Sequence, residues 1–225
     1  MARQTDEALF LRFRHKAARL LGLEQAKVAS SQQYWEQRYS SGGNSGPGSY
    51  GRLARYKAEY LNRFVAENRL ETVIEFGCGD GSQLELAEYP DYQGYDVAQT
   101  AVDLCRERFT GDQTKRFSLS TSEPASAELT LSLDVIYHLV EDEVYEAYMS
   151  ALFESASRFV VIYASDQTNE RDAPHVRHRS FTGWVAANRP DFMQHSQDAN
   201  PYPFEPNDPD NTSHASFFVF AKVDA

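Results

Sequence analysis

The segment Val73-Ile74-Glu75-Phe76-Gly77-Cys78-Gly79-Asp80-Gly81 sets an acid at the end of a short apolar run and then places three glycines within five residues. Glycine removes the Cβ atoms that would keep a ligand away from the backbone, and the free N–H groups at a helix start offer donors to an anionic group. Asp96 follows Gly79 by seventeen residues, at the end of a second apolar run. In a strand–helix–strand unit this is where a carboxylate accepts hydrogen bonds from the two hydroxyls of an adenosine ribose. A pyrophosphate-binding turn reads G-x-G-x-x-G, whereas the third glycine here arrives one position early, and no G-K-[ST] follows to make a P-loop. An ordinary tight strand–helix connection is the bland alternative; acid, glycines and terminal aspartate in this order weigh against it.

Two further constellations carry titratable groups. In Leu131-Ser132-Leu133-Asp134-Val135-Ile136-Tyr137-His138-Leu139, Asp134 and His138 stand four apart and share a face if the turn is helical. The carboxylate would then orient an imidazole that titrates near neutrality and can take a proton from an acceptor hydroxyl. The alternative is that His138 packs beside a ligand and moves no proton. Further on, Asp166 precedes His175, His178 and Arg179 in PHVRHRSF, with Trp184 beyond. The imidazoles, with Asp134 or Asp166, have ligand types a metal accepts, but no H-E-x-x-H or paired-Asp signature supports one, and no metal is expected. Recognition of a hydroxyl-rich molecule by stacking and directional hydrogen bonds is the better use, and a solvated basic loop is the alternative.

The elements that must hold these residues are legible as alternating runs. Strands are expected at Thr72 to Phe76, Tyr92 to Tyr95, Arg116 to Leu119, Leu129 to Leu133 and Phe159 to Tyr163, with helical stretches around Gln83 to Ala87, at Thr100 to Phe109 and at Glu141 to Ala156. In the last of these, Val144, Tyr148, Ala151 and Leu152 are expected to face the core. Such alternation marks a parallel sheet covered by helices. A helix at Phe181 to Asn188, a short strand at Phe192 to His195 and a terminal strand at Ser216 to Val223 follow. Ahead of all this, Leu9, Phe10, Phe13, Ala17, Leu20 and Leu21 recur at helical spacing, predicting an amphipathic cap helix with a basic outer face.

Val73 to Gly81 together with Gly94-Tyr95-Asp96 resembles the S-adenosylmethionine site of class I methyltransferases, and the likeness extends over most of the chain. The resemblance implies an α/β fold, a seven-stranded doubly wound, mostly parallel sheet with an antiparallel last strand and helices on both faces. It implies that Glu75 holds the methionine amino group, that Gly77, Cys78 and Gly79 let the cofactor cross the turn, that Asp96 and Val97 take the ribose end, that Ser118 or its neighbours contact adenine, and that Leu133 faces the methionine half. Family members similar to this chain cover the cofactor with an N-terminal stretch. Here that is Tyr34-Trp35-Glu36-Gln37-Arg38-Tyr39 and the Gly-rich run after it, with Tyr34, Tyr39 or Tyr50 closing over the methionine end; a flexible linker is the alternative. Residues 1–50 are thus read as cap helix and lid, and 51–225 as the cofactor-binding domain. The loop with His175, His178, Arg179 and Trp184 would wall the acceptor pocket. The implied activity is methyl transfer to a small polar acceptor, a hydroxyl of a sugar or natural product on the strength of His138. The N-P-P-[YFW] signature of amino-group methylation is absent after the fourth strand. A non-catalytic cofactor-binding module and a nicotinamide-dependent oxidoreductase are the competing readings.

Composition excludes other classes. Lys plus Arg number 22 against 33 Asp plus Glu, a net charge of −11. An acidic surface is poorly suited to nucleic acid, whose affinity comes mainly from Lys and Arg displacing counterions. No run approaches the roughly 20 apolar residues of a membrane span, no secretory signal is visible, and two cysteines, Cys78 and Cys105, are too few for a disulfide scaffold. A cytoplasmic protein acting on a small molecule is expected, with oligomeric state unread. Five of 12 glycines fall between Gly42 and Gly51, and four of nine prolines between Pro201 and Pro209. Both windows are expected to border the acceptor pocket.

Overall fold

The strand β1 (Thr72–Phe76) carries the acid of the first motif, and the sheet is organised around it. It pairs in parallel with β2 (Asp91–Asp96) on one side and with β4 (Ala127–Leu133) on the other. With β3 (Lys115–Leu119), β5 (Ala156–Ala164), β6 (Phe192–Asp198) and β7 (Ser216–Lys222), the order is β3-β2-β1-β4-β5-β7-β6, and β7 runs antiparallel to both neighbours. The expected seven-stranded sheet is present. The computed structural model describes residues 30–121, 124–168 and 173–223. Ser31–Ala225 forms one compact unit. The cap helix expected around Leu9 to Leu21 lies outside the described residues.

Helices cover both faces because the strands are apolar on both. Val160 through Ala164 are consecutive buried residues, the pattern of a strand with no wet side. On one face α2 (Gly51–Asn68) sets Leu61 and Val65 against Val73, Leu129, Leu131 and Phe217. On the other, α4 (Asp142–Glu154) and α5 (Phe181–Asn188) meet Ile74, Val160, Ile162, Phe218 and Phe220. Each such fully buried aliphatic or aromatic side chain stabilises the fold by about 1.5–3 kcal/mol. The remaining helices are α1 (Ser31–Ser40) and α3 (Gln99–Arg108). Among the described residues, no helix is long and apolar enough to cross a membrane.

Two elements differ from expectation. The stretch around Gln83 is a single 3₁₀ turn, Leu84–Leu86, because the chain reaches β2 after only a few residues. In α4 the core-facing residues are Tyr145, Met149, Leu152 and Phe153, while Val144 is exposed. Both stripes share helical spacing; the sheet takes the one carrying Met149 and Phe153, and Tyr148 turns its hydroxyl to the Phe76 carbonyl and Ser132.

Strand order reverses between β1 and β4, so the loops leaving their C-terminal ends diverge and open a crevice, the usual ligand site of a doubly wound sheet. The first two motifs of the sequence lie along this edge.

Candidate active site

The turn after β1 is held by its neighbour strand: the Gly77 and Cys78 amides both donate to the Tyr95 carbonyl, at 2.7 and 3.1 Å. Gly77 and Gly79 adopt φ of 87° and 58°, the left-handed region that favours glycine. A Cβ on Gly79 would lie 2.3 Å from Ser45 Oγ, so this position is closed to any other residue by contact as well as by backbone. Asp96, at the tip of β2, is buried rather than at the surface. Its Oδ2 accepts from the Gly79 amide and its Oδ1 from the Ala98 amide, both at 2.9 Å. Burial pushes its carboxyl up to about 6, against the pull of those amides.

Glu75 points into the same edge from β1. Burial raises its carboxyl to about 7, opposed by the Tyr92 hydroxyl, which donates to Oε2 at 2.7 Å, and by the charge of Lys57. A buried acid shifted upward binds its proton more tightly in the folded chain than in the unfolded one. Its stabilising effect is therefore complete below the ordinary value of 4.5 and is lost as pH rises through 7. His138 works in the opposite sense, so a difference measurement is needed. The unfolding free energy of Glu75→Gln relative to wild type is expected to rise between about pH 5 and pH 8. Urea titrations across that range check it, and parallel stability profiles for the two proteins would sink the assignment.

At the tip of β4 the expected pairing of Asp134 with His138 is not formed. The turn is a short 3₁₀ segment, Ile136–His138, and Asp134 itself takes a left-handed φ of 59°, its amide donating to the Tyr163 carbonyl. The carboxylate turns instead to Lys57, whose Nζ donates to Oδ2 at 2.7 Å, and to Tyr137, whose hydroxyl donates to Oδ1 at 2.8 Å. Lys57, on α2 and 1% exposed, was not legible as a site residue. Its only signal is a lysine on the same helical face as Ala54 and Leu61, where an apolar residue is the rule.

His138 lies in an aromatic cluster. Tyr34 stacks on His175 at 4.4 Å between centroids, His175 on His138 at 5.6 Å, and Trp35 meets His138 edge-on at 4.9 Å. Its Nδ1 bonds the His175 carbonyl at 3.1 Å, which makes Nδ1 the protonated nitrogen. Burial depresses its ionisation to about 4. The ring is neutral and held by its neighbours, as the packing alternative requires, and with Nδ1 protonated its Nε2 is the nitrogen that could accept a proton, as the base reading requires.

The four residues expected to wall an acceptor pocket divide. His175 joins the cluster above, and His178, buried, bonds Ser165 and tilts against Tyr137. Arg179 and Trp184 go elsewhere. Arg179 bonds Asp142 and stacks over Tyr145, and Trp184 donates to Glu146 and packs near Phe153, because α4 offers both an acidic start and an aromatic face. Among the described residues no group of three or more His, Cys, Asp and Glu is placed to hold a metal.

The Gly-rich run lies over the turn. The Ser45 amide donates to Asp80 Oδ2 at 3.1 Å, the Asp80 amide to Ser45 Oγ at 2.9 Å, and the Tyr50 hydroxyl to Asp80 Oδ2 at 2.6 Å. Tyr39 is buried, its hydroxyl 3.1 Å from Ser45 Oγ. A Cβ on Gly48 would lie 2.7 Å from Asp134 Oδ2. The Pro-rich run reaches the same edge through Tyr202, which meets Tyr56, which in turn meets Tyr163. Beyond Asp96, a groove of about 490 Å³ is lined by Val97, Gln99, Leu119 and the α1 residues Gln32 and Glu36. Ser118, one residue before Leu119, is half-buried and hydrogen-bonded to Gln93, so Leu119 rather than Ser118 lines the groove.

No family model matches the chain, and no curated protein matches it in sequence. Solved structures do match. The N-methyltransferase NodS from Bradyrhizobium japonicum WM9, in complex with S-adenosyl-l-homocysteine, superposes with a TM-score of 0.65 at 14% identity, covering 87% of this chain and 100% of that one. The methyltransferase domain of bacterial CtHen1 gives 0.60 at 17% identity, covering 77% and 100%. Magnesium protoporphyrin IX methyltransferase from Synechocystis PCC 6803 with bound SAH gives 0.57 at 15%, covering 75% and 83%. At these identities the likeness establishes the fold, and the chain has the α/β fold of class I methyltransferases.

Proposed function

We propose that this chain, on its methyltransferase fold, binds S-adenosylmethionine and transfers the methyl group to a small polar acceptor. The observation that carries the reading is the meeting, at one sheet edge, of the buried acid Glu75, the left-handed Gly77–Gly79 turn and the buried acid Asp96. The donor set fits the cofactor. Each Asp96 oxygen spends one lone pair on a backbone amide and keeps another for a ribose hydroxyl. Glu75, ionising through about pH 7, offers a carboxylate that the ammonium of a methionine end would hold in its charged form. Val97 and Leu119 offer an apolar slot for adenine. When bound, the cofactor supplies an electrophilic methyl on a sulfonium; the protein's part is to align it and to exclude water. The segment from Gly42 to Tyr50 would do the second as a lid; its contact with Asp80 over the turn and the closeness of Gly48 to Asp134 support that role.

A hydroxyl acceptor was expected on the strength of His138 as base. Burial lowers the basicity of that ring, so the oxygen preference has less behind it than the spacing of Asp134 and His138 suggested. A small molecule rather than a nucleic acid accords with the net charge of −11, and two buried free cysteines accord with a cytoplasmic setting.

Isothermal titration tests the cofactor. Binding of S-adenosylmethionine and S-adenosylhomocysteine, each with one site per chain, is expected, with no heat from NAD. Binding of NAD alone would replace this reading with an oxidoreductase.

A further inference from the structure

Resting on the methyl-transfer reading, we propose that residues 45–50 form a gate over the cofactor turn, latched by Asp80, and that release of this latch limits the rate of cofactor exchange. The glycine-rich window supplies the moving parts. Arg38 of α1 fastens the chain ahead of the gate: its carbonyl accepts from the Gly43 amide at 2.9 Å, and its Nε donates to the Asn44 carbonyl at 2.6 Å. From Ser45 the chain leaves that anchor. Gly46 and Gly51 take φ of 88° and 60°, and a Cβ on either would meet nothing within 4 Å. Glycine at these two positions serves the backbone and not close packing, and hinges are built at positions that absorb changes of φ and ψ. Between the two, Pro47–Ser49 is a 3₁₀ turn, closed by the Ser49 amide on the Gly46 carbonyl and the Tyr50 amide on the Pro47 carbonyl at 3.0 and 3.1 Å. The piece between the hinges is a short, internally bonded flap.

One carboxylate holds the flap down at both ends. Asp80 Oδ2 accepts from the Ser45 amide before Gly46 and from the Tyr50 hydroxyl before Gly51, while the Asp80 amide donates to Ser45 Oγ. Asp80 itself is fixed from the turn side, its Oδ1 accepting from the Ser82 amide at 3.0 Å. The Tyr50 hydroxyl accepts in turn from Ser82 Oγ, to which Arg108 donates at 2.8 Å. Burial opposes the charge on Asp80, but the Tyr50 hydroxyl and the amides of Ser82 and Ser45 outweigh it and hold the carboxyl below its usual range. Hydrogen bonds to an ionised acceptor are roughly twice as strong as neutral ones, so the latch concentrates two strong fastenings on one residue. Closed, the flap sets Ser45 Oγ against Gly79 and Gly48 against Asp134, covering the turn and the tip of β4 together. A cofactor lying across the turn then enters and leaves only as the flap lifts, and lid opening is the slow step of many enzymes.

The test reads both rate constants for S-adenosylhomocysteine by stopped flow on the full chain, followed by tryptophan fluorescence because Trp35 stacks on Tyr39, whose hydroxyl meets Ser45. Asp80→Ala is expected to speed association and dissociation each by about 10-fold or more, the factor that charge-assisted hydrogen bonds contribute to the ratio of closed to open flap. The dissociation constant should change less than either rate. Asp80→Asn, which keeps an uncharged acceptor, should fall between. Gly48→Ala reaches the flap from its other side: φ there is not positive, but the new Cβ would lie 2.7 Å from Asp134 Oδ2, so closure is disfavoured with Asp80 intact. The same acceleration of both rates is expected, with circular dichroism confirming folding. Faster dissociation at unchanged association would make these contacts part of the binding site and not a gate, and unaltered rates in Gly48→Ala would overturn the gate outright. A wild-type chain that binds no S-adenosylhomocysteine overturns the methyl-transfer reading instead.

Discussion

Asp96→Ala is expected to weaken S-adenosylmethionine binding by about 100-fold or more, the loss of two hydrogen bonds between hydroxyls and a carboxylate. The same carboxylate anchors the amides of Gly79 and Ala98 at 2.9 Å, so alanine also leaves two buried donors unmet and loosens the Gly77–Gly79 turn. Asp96→Asn separates the two effects. It keeps an oxygen for one of the amides, and removes the charge that a ribose hydroxyl donates to. Titration calorimetry of both variants, with circular dichroism to confirm folding, is the measurement. Wild-type affinity in Asp96→Asn would remove the ribose assignment, whereas loss of folding in both would make Asp96 a structural residue of the turn.

The second large effect is expected at Lys57. Methionine there leaves Asp134 beside an apolar side chain, with only Tyr137 as a donor. Breaking a buried ion pair by removing one partner typically destabilises by about 3–5 kcal/mol. Asp134 keeps 15% side-chain exposure, which places the expected loss near the low end, about 3 kcal/mol. Asp134→Asn keeps an oxygen that can accept from Lys57 but leaves an ammonium 1% exposed without its counter-charge, so a loss of similar size is expected. The double variant should recover part of the loss, with a coupling of about 1–3 kcal/mol measured by urea unfolding of all four proteins. Additive losses would mean that the 2.7 Å contact contributes little beyond packing.

The pair at Lys57 also shows where reading the chain alone stops. Lys57 and Asp134 are 77 residues apart, and nothing near Lys57 in sequence marks it. The lysine sits in a helix whose other polar residues are solvated, and only the approach of α2 to the tip of β4 makes it a site residue. His138 is a related case. Its spacing from Asp134 suggested a helical pair, but the left-handed backbone at Asp134 turns the carboxylate away, and α1 brings Trp35 and Tyr34 to the imidazoles instead. Arg179 and Trp184 were drawn to α4 by Asp142, Glu146 and an aromatic face that no local pattern ties to them.

What the sequence determined by itself is the part governed by short range. The run from β1 through the glycine turn to Asp96 joins two neighbouring parallel strands, with a single 3₁₀ turn where a helix was expected, and spacing fixes its geometry: an acid at a strand end, glycines where φ must be positive, and a second acid at the next strand end. Alternating strand-like and helix-like runs likewise marked the sheet, because strands covered on both faces are mostly apolar, with Glu75, Thr130 and Ser132 as buried polar exceptions. The tertiary structure alone decided which charges meet. Ion pairs, stacked rings and the face by which α4 docks depend on contacts between distant segments, and their energies are set by burial that no single segment carries.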